Sequence, residues 1–513
     1  MATASTISLS ADVPAIIRVA ALDQEATDKA SSLLNHNHAA HDILFDEIGR
    51  HNHIVHHTLA AFALGADAET LQKQYDQNAS YQRPPWLADE NIIRSLSEGD
   101  PTTFLTHMAQ PENYSTFLAF FTRQFSSQSI PEVLNKYVFS DDNELAKTIF
   151  SRLFAGYYHP FIHLGYGVEF YQPAIVAEAL AQTCVHSTYM DAFFELAAAE
   201  AAKPSVEPDT MVKLLSKIRA DAKVSTAAHW DDAQKVRDGV LARAKDEMIA
   251  YVAQWRVSPP YSAQRLDEAA AEVINAAAYF TGAAQRPPRV VKMDFFYMHA
   301  VTSSVFLSVF LAQDWIASHM KAKLVEYKGR LDLALYASRR SPKLLLDEIT
   351  NYPPTPTPPN NDSAKSLPLR EWNDMFTMAS QFMDDGHTAK FIRALANGER
   401  ACAPFENSTP PSLNDMTNNA SNNSYTFRGD ETNNSHLNGQ ANGGRENPQD
   451  DDGARWKIKG DMWRRLAMMV LDSVQPEKGE RWARSVGFDE AWKDYGFRKN
   501  CDHHHGENSA YIA

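Results

Sequence analysis

One segment of the chain combines a helical pattern with a cluster of histidines: His51-Asn52-His53-Ile54-Val55-His56-His57-Thr58-Leu59-Ala60-Ala61-Phe62-Ala63-Leu64-Gly65-Ala66. Positions i, i+3 and i+4 share one face of a helix, so His53 is expected to lie beside His56 and His57. Neutral imidazoles bind transition metals, and two from one helical turn can contact the same ion. A single turn does not complete a mononuclear site, so further ligands have to come from elsewhere in the chain.

The composition predicts an all-α fold. Only 21 of the 513 residues are glycine, and the strong helix formers Ala, Leu, Glu and Gln are frequent in the periodic segments. An apolar content of 44% is ample for a core. Helical segments on both sides of a long polar insert indicate one large multi-helix domain that the insert interrupts.

Polarity divides the chain into a loose N-terminal lead-in, a helical catalytic domain, an insert, C-terminal helices of the same domain and a flexible tail, at residues 1–20, 21–402, 403–455, 456–495 and 496–513. The insert is rich in Asn, Ser, Gly and Asp and nearly lacks aliphatic side chains, which predicts disorder. Residues 352–360 are Pro/Thr-rich and are expected to form an exposed loop. Residues 67–100 are expected to form a linker or a rim of the fold.

The charge of the chain limits the classes of partner. Its 64 Asp and Glu residues outnumber its 49 Lys and Arg residues, which gives a net charge of -15. Neither a nucleic acid nor an anionic membrane is expected as a partner, since either needs a basic surface. The charged N-terminus does not resemble a signal peptide. The strongest apolar run, Phe295 to Ala312, contains His299 and four hydroxyl side chains, so it is predicted to be a buried central helix of a soluble, cytoplasmic protein.

Four segments place histidines in apolar helical surroundings: His53/His56/His57, His159/His163, His299 and His387. A histidine in such surroundings is commonly a core residue with one hydrogen bond. Four such segments in one chain favour a shared role, because one metal ion satisfies several buried imidazoles at once. The alternative is a non-catalytic helical scaffold with buried histidines.

A lysine follows the fourth histidine segment. Lys390 lies one helical turn after His387, on the same face, and either points to the surface or points inward beside the metal. An ammonium group has no lone pair, so an inward lysine has to be deprotonated or carbamylated before it can donate to a metal. Four carboxylates could serve instead, those of Glu169, Asp294, Asp384 and Asp385.

Several catalytic motifs are absent from the sequence. No GxGxxG follows a strand, and there is no P-loop, GxSxG or HExxH. The paired Glu-x-x-His motifs of ferritin-like bundles are also missing, and the three cysteines show no CxxC spacing. His41-Asp42 is an isolated pair of the kind that helical phosphohydrolases use, without the further His and Asp in order. A dinucleotide-binding domain for a flavin or NADPH is therefore not supported.

Seven segments between residues 37 and 492 together carry a resemblance to a known family: Asn37-His38-Ala39-Ala40-His41, His51 to Ala66, His159-Pro160-Phe161-Ile162-His163-Leu164-Gly165-Tyr166-Gly167, Asp294-Phe295-Phe296-Tyr297-Met298-His299, Val301-Thr302-Ser303-Ser304, Asp385-Gly386-His387-Thr388-Ala389-Lys390 and Trp482 to Trp492. In this order they resemble the questin oxidase-like family of fungal polyketide biosynthesis. Two features depart from the family: Asp42 stands where another histidine is common, and the insert is unusually long.

The resemblance implies oxygenation of an aromatic polyketide, in particular an anthraquinone, with opening of the quinone ring. The partners it implies are the small aromatic substrate and O₂. Two routes are described for members of the family: a Baeyer–Villiger-type oxidation, here with an external NADPH-dependent reductant, and a non-haem iron dioxygenase mechanism. The missing dinucleotide fold favours iron, because iron held by histidines and one oxygen donor activates O₂ without such a fold.

The resulting hypothesis is a mononuclear non-haem Fe(2+) site whose predicted ligands are His56, His163, His299, His387 and Lys390, with the lysine deprotonated or carbamylated. His53, His57 and His159 are predicted to orient ligands or substrate and to transfer protons. His57 competes with His56, since His53-x3-His57 and His159-x3-His163 share a spacing. The alternatives are a zinc- or manganese-dependent hydrolase that uses the same histidines, and the scaffold. The sequence leaves the need for NADPH and the oligomeric state open.

Overall fold

The computed structural model describes residues 1–187, 189–353, 369–406, 455–475 and 479–498. Most of the predicted Pro/Thr-rich loop, of the predicted Asn-rich insert and of the predicted tail lies outside the described residues.

The predicted all-α class is confirmed, since the described residues form 22 α-helices and one sheet of two very short parallel strands. In chain order these elements are α1 Gln24–Ala40, α2 Ile54–Ala63, α3 Ala68–Ala79, α4 Glu90–Ser97, α5 Pro101–His107, α6 Tyr114–Phe125, α7 Ile130–Tyr137, α8 Glu144–Arg152, α9 Ala155–Glu169, α10 Pro173–Val185, α11 Tyr189–Ala201, α12 Met211–Ala220, α13 Ala222–Ser225, α14 Leu241–Arg243, α15 Lys245–Val252, α16 Ala263–Ala283, β1 Met293–Asp294, α17 Phe295–Leu311, α18 Ser318–Ala337, α19 Asp347–Thr350, α20 Trp372–Ser380, α21 His387–Cys402, α22 Met462–Ser473 and β2 Trp482–Ala483.

The predicted central helix is α17, which contacts α9, α16, α18 and α21. It begins at Asp294, whose carboxylate accepts hydrogen bonds from the backbone N–H groups of Phe296 and Tyr297 at 2.8 and 3.0 Å. Such a cap satisfies two of the amides that a helix start leaves without partners. Within the described part of the chain, no helix is long and apolar enough to cross a membrane. The cytoplasmic location stays a prediction.

One hydrophobic core runs from the N-terminal segment to the C-terminal one. The lead-in, residues 1–20, contains no helix, but Ile7, Leu9 and Val13 are buried in that core. Its backbone is bonded to the helical part of the fold, because the Ile16 N–H donates to the carboxylate of Glu169 on α9 at 2.7 Å. The N-terminal segment is therefore part of the same packed unit as the helices.

Two regions differ from the sequence-based expectation. The prediction of a linker or rim at residues 67–100 is wrong for most of that stretch, because Asp67 and Asp89 cap the helices α3 and α4. The C-terminal part, 456–495, contributes one α-helix, then β2 and a 3-10 helix, rather than helices alone. Strand β2 pairs with β1 directly before α17, so the C-terminal segment closes over the start of the central helix.

A buried ion pair anchors the chain beside α17. Lys328 and Asp332, one turn apart on α18, are fully buried, and the lysine Nζ lies 2.5 and 2.6 Å from the two carboxylate oxygens. The hydroxyl of Tyr158 donates to the same carboxylate at 2.6 Å. Tyr158 has a left-handed backbone with φ of 68°, so this hydrogen bond holds an unfavourable conformation in place.

We expect Asp332→Asn to lower the free energy of unfolding by about 3–5 kcal/mol, because it leaves the Lys328 ammonium buried without a counter-charge. Urea unfolding followed by circular dichroism measures the change. Glu69→Gln is the matched control, since Glu69 forms an i,i+4 pair with Lys73 that is exposed on both sides. An Asp332→Asn midpoint equal to that of the control would contradict the role given to the pair.

Candidate active site

Eight buried histidines meet where α2, α9, α17 and α21 approach one another: His51, His53, His56, His57, His159, His163, His299 and His387. His53 is the residue before α2, and His56 and His57 are in its first turn. The helix starts here because the Asn52 side chain accepts a hydrogen bond from the Ile54 N–H at 2.9 Å. The opening segment of the sequence therefore delivers its histidines into the interior.

An unusual turn positions the histidines of α9. Gly156, Tyr157 and Tyr158 have positive φ values of 54°, 57° and 68°, so the regular part of the helix starts after them. At Gly156 a side chain would also collide, since an added Cβ would lie 2.6 Å from the His186 ring and 2.9 Å from the His51 ring. The turn aims the Gly156 carbonyl back at His159, whose Nδ1 lies 2.5 Å from the oxygen.

Five of the buried imidazoles hold one ring nitrogen against an oxygen acceptor. His159 contacts the Gly156 carbonyl, and Nδ1 of His299 lies 2.7 Å from the Phe295 carbonyl. A carbonyl only accepts, so each of these nitrogens carries the hydrogen. Burial lowers the pKa of both histidines well below its ordinary value, so the rings are neutral and the second nitrogen of each has a bare lone pair.

In the other three rings, a carboxylate accepts the hydrogen of one ring nitrogen. Asp385 accepts from Nδ1 of His387 and from Nδ1 of His53, the latter at 3.1 Å. Glu178 accepts from Nε2 of His163 at 2.8 Å. Burial lowers the pKa of His53 to about 3, so this ring is neutral despite its carboxylate partner. Burial also lowers the pKa of His387, so in His53 and His387 the nitrogen opposite the carboxylate is the one left with a lone pair.

The bare nitrogens face one another across the interior. Nε2 of His299 lies 3.3 Å from Nε2 of His387, and Nε2 of His53 lies 2.7 Å from Nε2 of His159. With one hydrogen per neutral ring, and that hydrogen used on the outer nitrogen, each contact brings two lone pairs together. Such an arrangement is unfavourable unless a proton or a cation lies between the two nitrogens.

The separations distinguish a proton from a metal ion. Two imidazole nitrogens bound to one ion at about 2.0–2.1 Å lie about 2.8–3.0 Å apart at octahedral angles and about 3.3–3.4 Å apart at tetrahedral angles. The 3.3 Å between His299 and His387 falls in the tetrahedral range, whereas the 2.7 Å between His53 and His159 is a hydrogen-bond distance. The donor set therefore fits a metal ion better at the His299–His387 pair than at the His53–His159 pair.

A third pair comes from two further predicted ligands. Nε2 of His56 lies 3.2 Å from Nδ1 of His163, and Nδ1 of His56 has no hydrogen-bond partner among the described residues. His159 lies between this pair and the first, with ring centroids 6.1 Å from His56 and 4.9 Å from His299. The structure thus brings the four predicted metal-ligating histidines together as two separate pairs.

Asp385 belongs to a compact group of possible metal-binding residues. Among the described residues, His53, Asp385 and His387 each offer one possible ligand atom, and these three atoms all lie within 4.8 Å of one another. Because the Asp385 carboxylate already hydrogen-bonds to Nδ1 of both rings, we interpret it as the group that orients them, leaving their Nε2 atoms as donors.

His57, predicted to assist catalysis, points away from these pairs. Its Nδ1 lies 3.3 Å from the amide nitrogen of Asn78, whose two hydrogens already meet the backbone carbonyls of Gln74 and Asp384 at 2.8 and 3.1 Å, so this contact does not assign the hydrogen of His57 to Nδ1 or to Nε2. That Nε2 has no partner among the described residues, and burial lowers the pKa of His57 to about 4. Its backbone also touches Gly386, whose added Cβ would lie 2.6 Å from the His57 Cα.

Lys390 is buried beside the histidines, so its interpretation as a surface lysine is wrong. Burial lowers the pKa of its amine to about 8, against the opposing effect of Asp385 and Asp384. An ordinary lysine has a pKa of about 10.4. About a tenth of the amine is therefore neutral at pH 7, the form that both metal ligation and reaction with CO₂ require.

Sequence reasoning missed Glu178, His186 and the part that His51 takes in the cluster. Glu178 is the only charged residue of the apolar helix α10, and this isolation was the available signal. Its second oxygen accepts from Nδ1 of His38 at 2.6 Å. Burial opposes ionisation, but the hydrogen bonds from His163 and His38 outweigh it and hold the pKa of Glu178 at about 2.

A cavity of about 290 Å³ leads from the surface to the histidines. Its lining includes Asp385 and His387 together with Phe295, Trp482 and Arg484. The Arg484 guanidinium lies over the Phe295 ring at 4.4 Å, and the Trp482 ring centroid lies 6.1 Å from that of His387. The charged lining residues also include Asp384, Glu480 and Arg481, so it is the flat aromatic walls that suit a planar aromatic molecule.

Comparison with known proteins gives the class. A family model described as questin oxidase-like matches residues 50–395. The chain is 36% identical to a Baeyer-Villiger monooxygenase of Cryptosporiopsis sp. and 36% identical to a Baeyer-Villiger oxidase of Pestalotiopsis fici, each over 96% of this chain and 98% of the relative. It is 34% identical to a questin oxidase of Aspergillus terreus, again over 96% and 98%. These matches make the chain an oxidoreductase. It belongs to the questin oxidase-like family, which confirms the resemblance.

We expect Gly386→Ala to lower the free energy of unfolding by about 1–3 kcal/mol more than Gly99→Ala does, because the new methyl group collides with His57. The two glycines have nearly the same φ, 85° and 81°, but a Cβ at Gly99 would meet nothing within 4 Å. The shared backbone strain cancels, so the difference between the urea midpoints reports the collision. Equal midpoints would contradict the close packing of α21 on α2.

Proposed function

We propose that the chain is an oxygenase that inserts oxygen from O₂ beside a ring carbonyl of an anthraquinone or related aromatic polyketide, so that the quinone ring opens. The observation that carries the proposal is the buried pair His299–His387, whose two bare nitrogens face each other at 3.3 Å next to an aromatic-walled cavity. The names of the relatives, questin oxidase and Baeyer-Villiger oxidase, support the substrate class and the reaction type.

We propose Fe(2+) as the metal of this site, with His299 and His387 as its ligands. Iron(II), when bound, supplies the one-electron chemistry that activates O₂. The protein fixes both rings beforehand, because the Phe295 carbonyl and Asp385 hold the hydrogen on Nδ1 and leave Nε2 free. His56, His163 and Lys390 stay proposed as the remaining ligands, and completing that set requires the His56–His163 pair to move.

Proton handling falls to the residues around the pair. His53 and His159, 2.7 Å apart, are placed to share a proton, and Asp385 links His53 to His387. With a pKa of about 8, Lys390 can hold a proton or release it near neutral pH. As the free amine, Lys390 can instead react with CO₂ to give a carbamate, whose oxygen would be an anionic donor.

Two routes to ring opening differ in their electron balance. In the dioxygenase route, both atoms of O₂ enter the product and no reductant is consumed. In the Baeyer–Villiger route, one atom is inserted between the carbonyl carbon and its ring neighbour to give a lactone, the other leaves as water, NADPH supplies two electrons, and hydrolysis of the lactone by water then opens the ring. The names of the relatives favour the second route. The described residues contain one sheet, of two two-residue strands, so no dinucleotide-binding sheet is found among them and the NADPH-dependent reductant would be a separate protein.

We expect ¹⁸O from ¹⁸O₂ to appear in the ring-opened product of an anthraquinone of the questin type, because O₂ is the proposed source of the inserted oxygen. Mass spectrometry of the product counts the labelled atoms, and an NADPH assay with a reductase-containing extract counts the electrons. Two labelled atoms without NADPH consumption assign the dioxygenase route, and one labelled atom per NADPH assigns the Baeyer–Villiger route. A product labelled only by H₂¹⁸O would overturn the oxygenase and favour the hydrolase.

We expect anaerobically purified protein to contain iron at close to one ion per chain, and the double variant His299→Ala/His387→Ala to lose it. Elemental analysis measures the metal and circular dichroism checks the fold. His319→Ala is the control, since His319 is an exposed histidine that pairs with Asp141 far from the cluster. Zinc or manganese with full activity in the absence of O₂ would favour the hydrolase. A folded double variant with unchanged iron would overturn the proposed ligands.

A further inference from the structure

A second, larger cleft lies on the face formed by α12, α16, the end of α18 and the segment after β2. It has a volume of about 880 Å³. Four cationic side chains line it, those of Arg219, Arg286, Arg340 and Lys343, and none of the described lining residues is Asp or Glu. The whole chain carries a net charge of -15, whereas all the described charged residues on the lining of this cleft are cations, so the local charge is opposite to that of the whole chain.

The counter-charges around the cleft leave two of these cations without compensation. Arg286 pairs with Asp489, and Arg219 donates to the backbone carbonyl of Ser341 at 2.8 Å. Arg340 and Lys343 are exposed, and neither forms an ion pair with a described residue. Both are therefore available to a bound anion.

The backbone between these two cations is held in an uncommon conformation. Arg340 and Ser341 both have positive φ, 61° and 42°, which is rare for two successive residues other than glycine. Ser341 is 1% exposed, and its Oγ has no hydrogen-bond partner within the described ranges. A buried hydroxyl without a partner is costly, and it needs a reason such as a ligand that accepts from it.

We propose that this cleft binds a small molecule that carries a pyrophosphate group. Arg340 and Lys343 supply two uncompensated positive charges beside Arg219 and Arg286, and arginine side chains suit phosphate oxygens because they present several N–H groups in one plane. Ser341 also belongs to the lining, and its Oγ, which has no partner among the described residues, is a further donor. The volume exceeds what a pyrophosphate needs, and Tyr279 and Leu344 on the lining offer apolar surface for an attached group. This site is separate from the histidine cluster, and the proposal does not depend on the proposed function.

Calorimetric titration of the full chain with inorganic pyrophosphate tests the site. We expect saturable binding of one pyrophosphate per chain, and Arg340→Ala/Lys343→Ala should weaken it at least about tenfold, since two charge-assisted contacts are lost. Arg94→Ala/Lys245→Ala removes the same charge from exposed positions outside the lining and should leave the affinity within about twofold. Thermal unfolding of both double variants checks that they are folded.

Further probes separate the parts of the proposal. Ser341→Ala should weaken pyrophosphate binding about threefold to tenfold at an unchanged thermal midpoint, because its Oγ bonds to no described residue. ADP bound more tightly than pyrophosphate would support the site and identify the attached group as a nucleoside, and equal affinity would support a site for the pyrophosphate alone. Absence of saturable binding, equal loss in the control double variant, or orthophosphate bound as tightly as pyrophosphate would overturn the proposal.

Discussion

A neutral imidazole carries one hydrogen on its two nitrogens, and the interior of this protein depends on that limit. Each of four buried rings directs its hydrogen outward, to a backbone carbonyl or to a carboxylate, so four lone pairs point into a space that contains few donors. A core built from these rings alone would be unfavourable. The cluster therefore has the donor atoms of a cation-binding site rather than those of an ordinary apolar core, and hydrogen bonds from the surrounding helices hold these donors in place.

The orientation of the rings is largely a local property of the helices. His299 uses a carbonyl one turn earlier on its own helix, His387 uses a carboxylate two residues before it, and His159 uses the carbonyl of the left-handed turn that precedes it. A hydrogen bond from the Tyr158 hydroxyl to the buried carboxylate of Asp332 on α18 stabilises this left-handed backbone. Packing at a distance from the site thus decides which nitrogen of His159 is free. Mutations in this second layer should alter the chemistry of the site without touching any residue that faces the substrate.

Much of the fold is readable in the sequence. The apolar run Phe295 to Ala312 predicts a buried central helix, and the structure has α17 at Phe295–Leu311. Residues 67–100 were harder, because α3 and α4 span only 12 and 8 residues and each is stabilised at its start by an aspartate cap.

The site was predictable only in part. The histidine segments are recognisable, because imidazoles in apolar helices are uncommon and occur here four times. The pairing of the rings is not readable, because it depends on how distant helices pack, and an isolated acid such as Glu178 gives no hint of which histidine it will meet. The family is confirmed, whereas the metal and its complete ligand set stay predictions.

The contacts on the two sides of residues 407–454 bear on how far the length of this part of the chain can change. Glu406, the last described residue before residues 407–454, accepts hydrogen bonds from the Gly460 N–H and from the Trp463 indole, and Phe405 stacks on Trp456. The described residues on the two sides of 407–454 are therefore held together by direct contacts. Insertions and deletions in this part of the gene are expected to be tolerated, and the polypeptide could be divided there into two fragments that reassemble through the contact of α21 with α22.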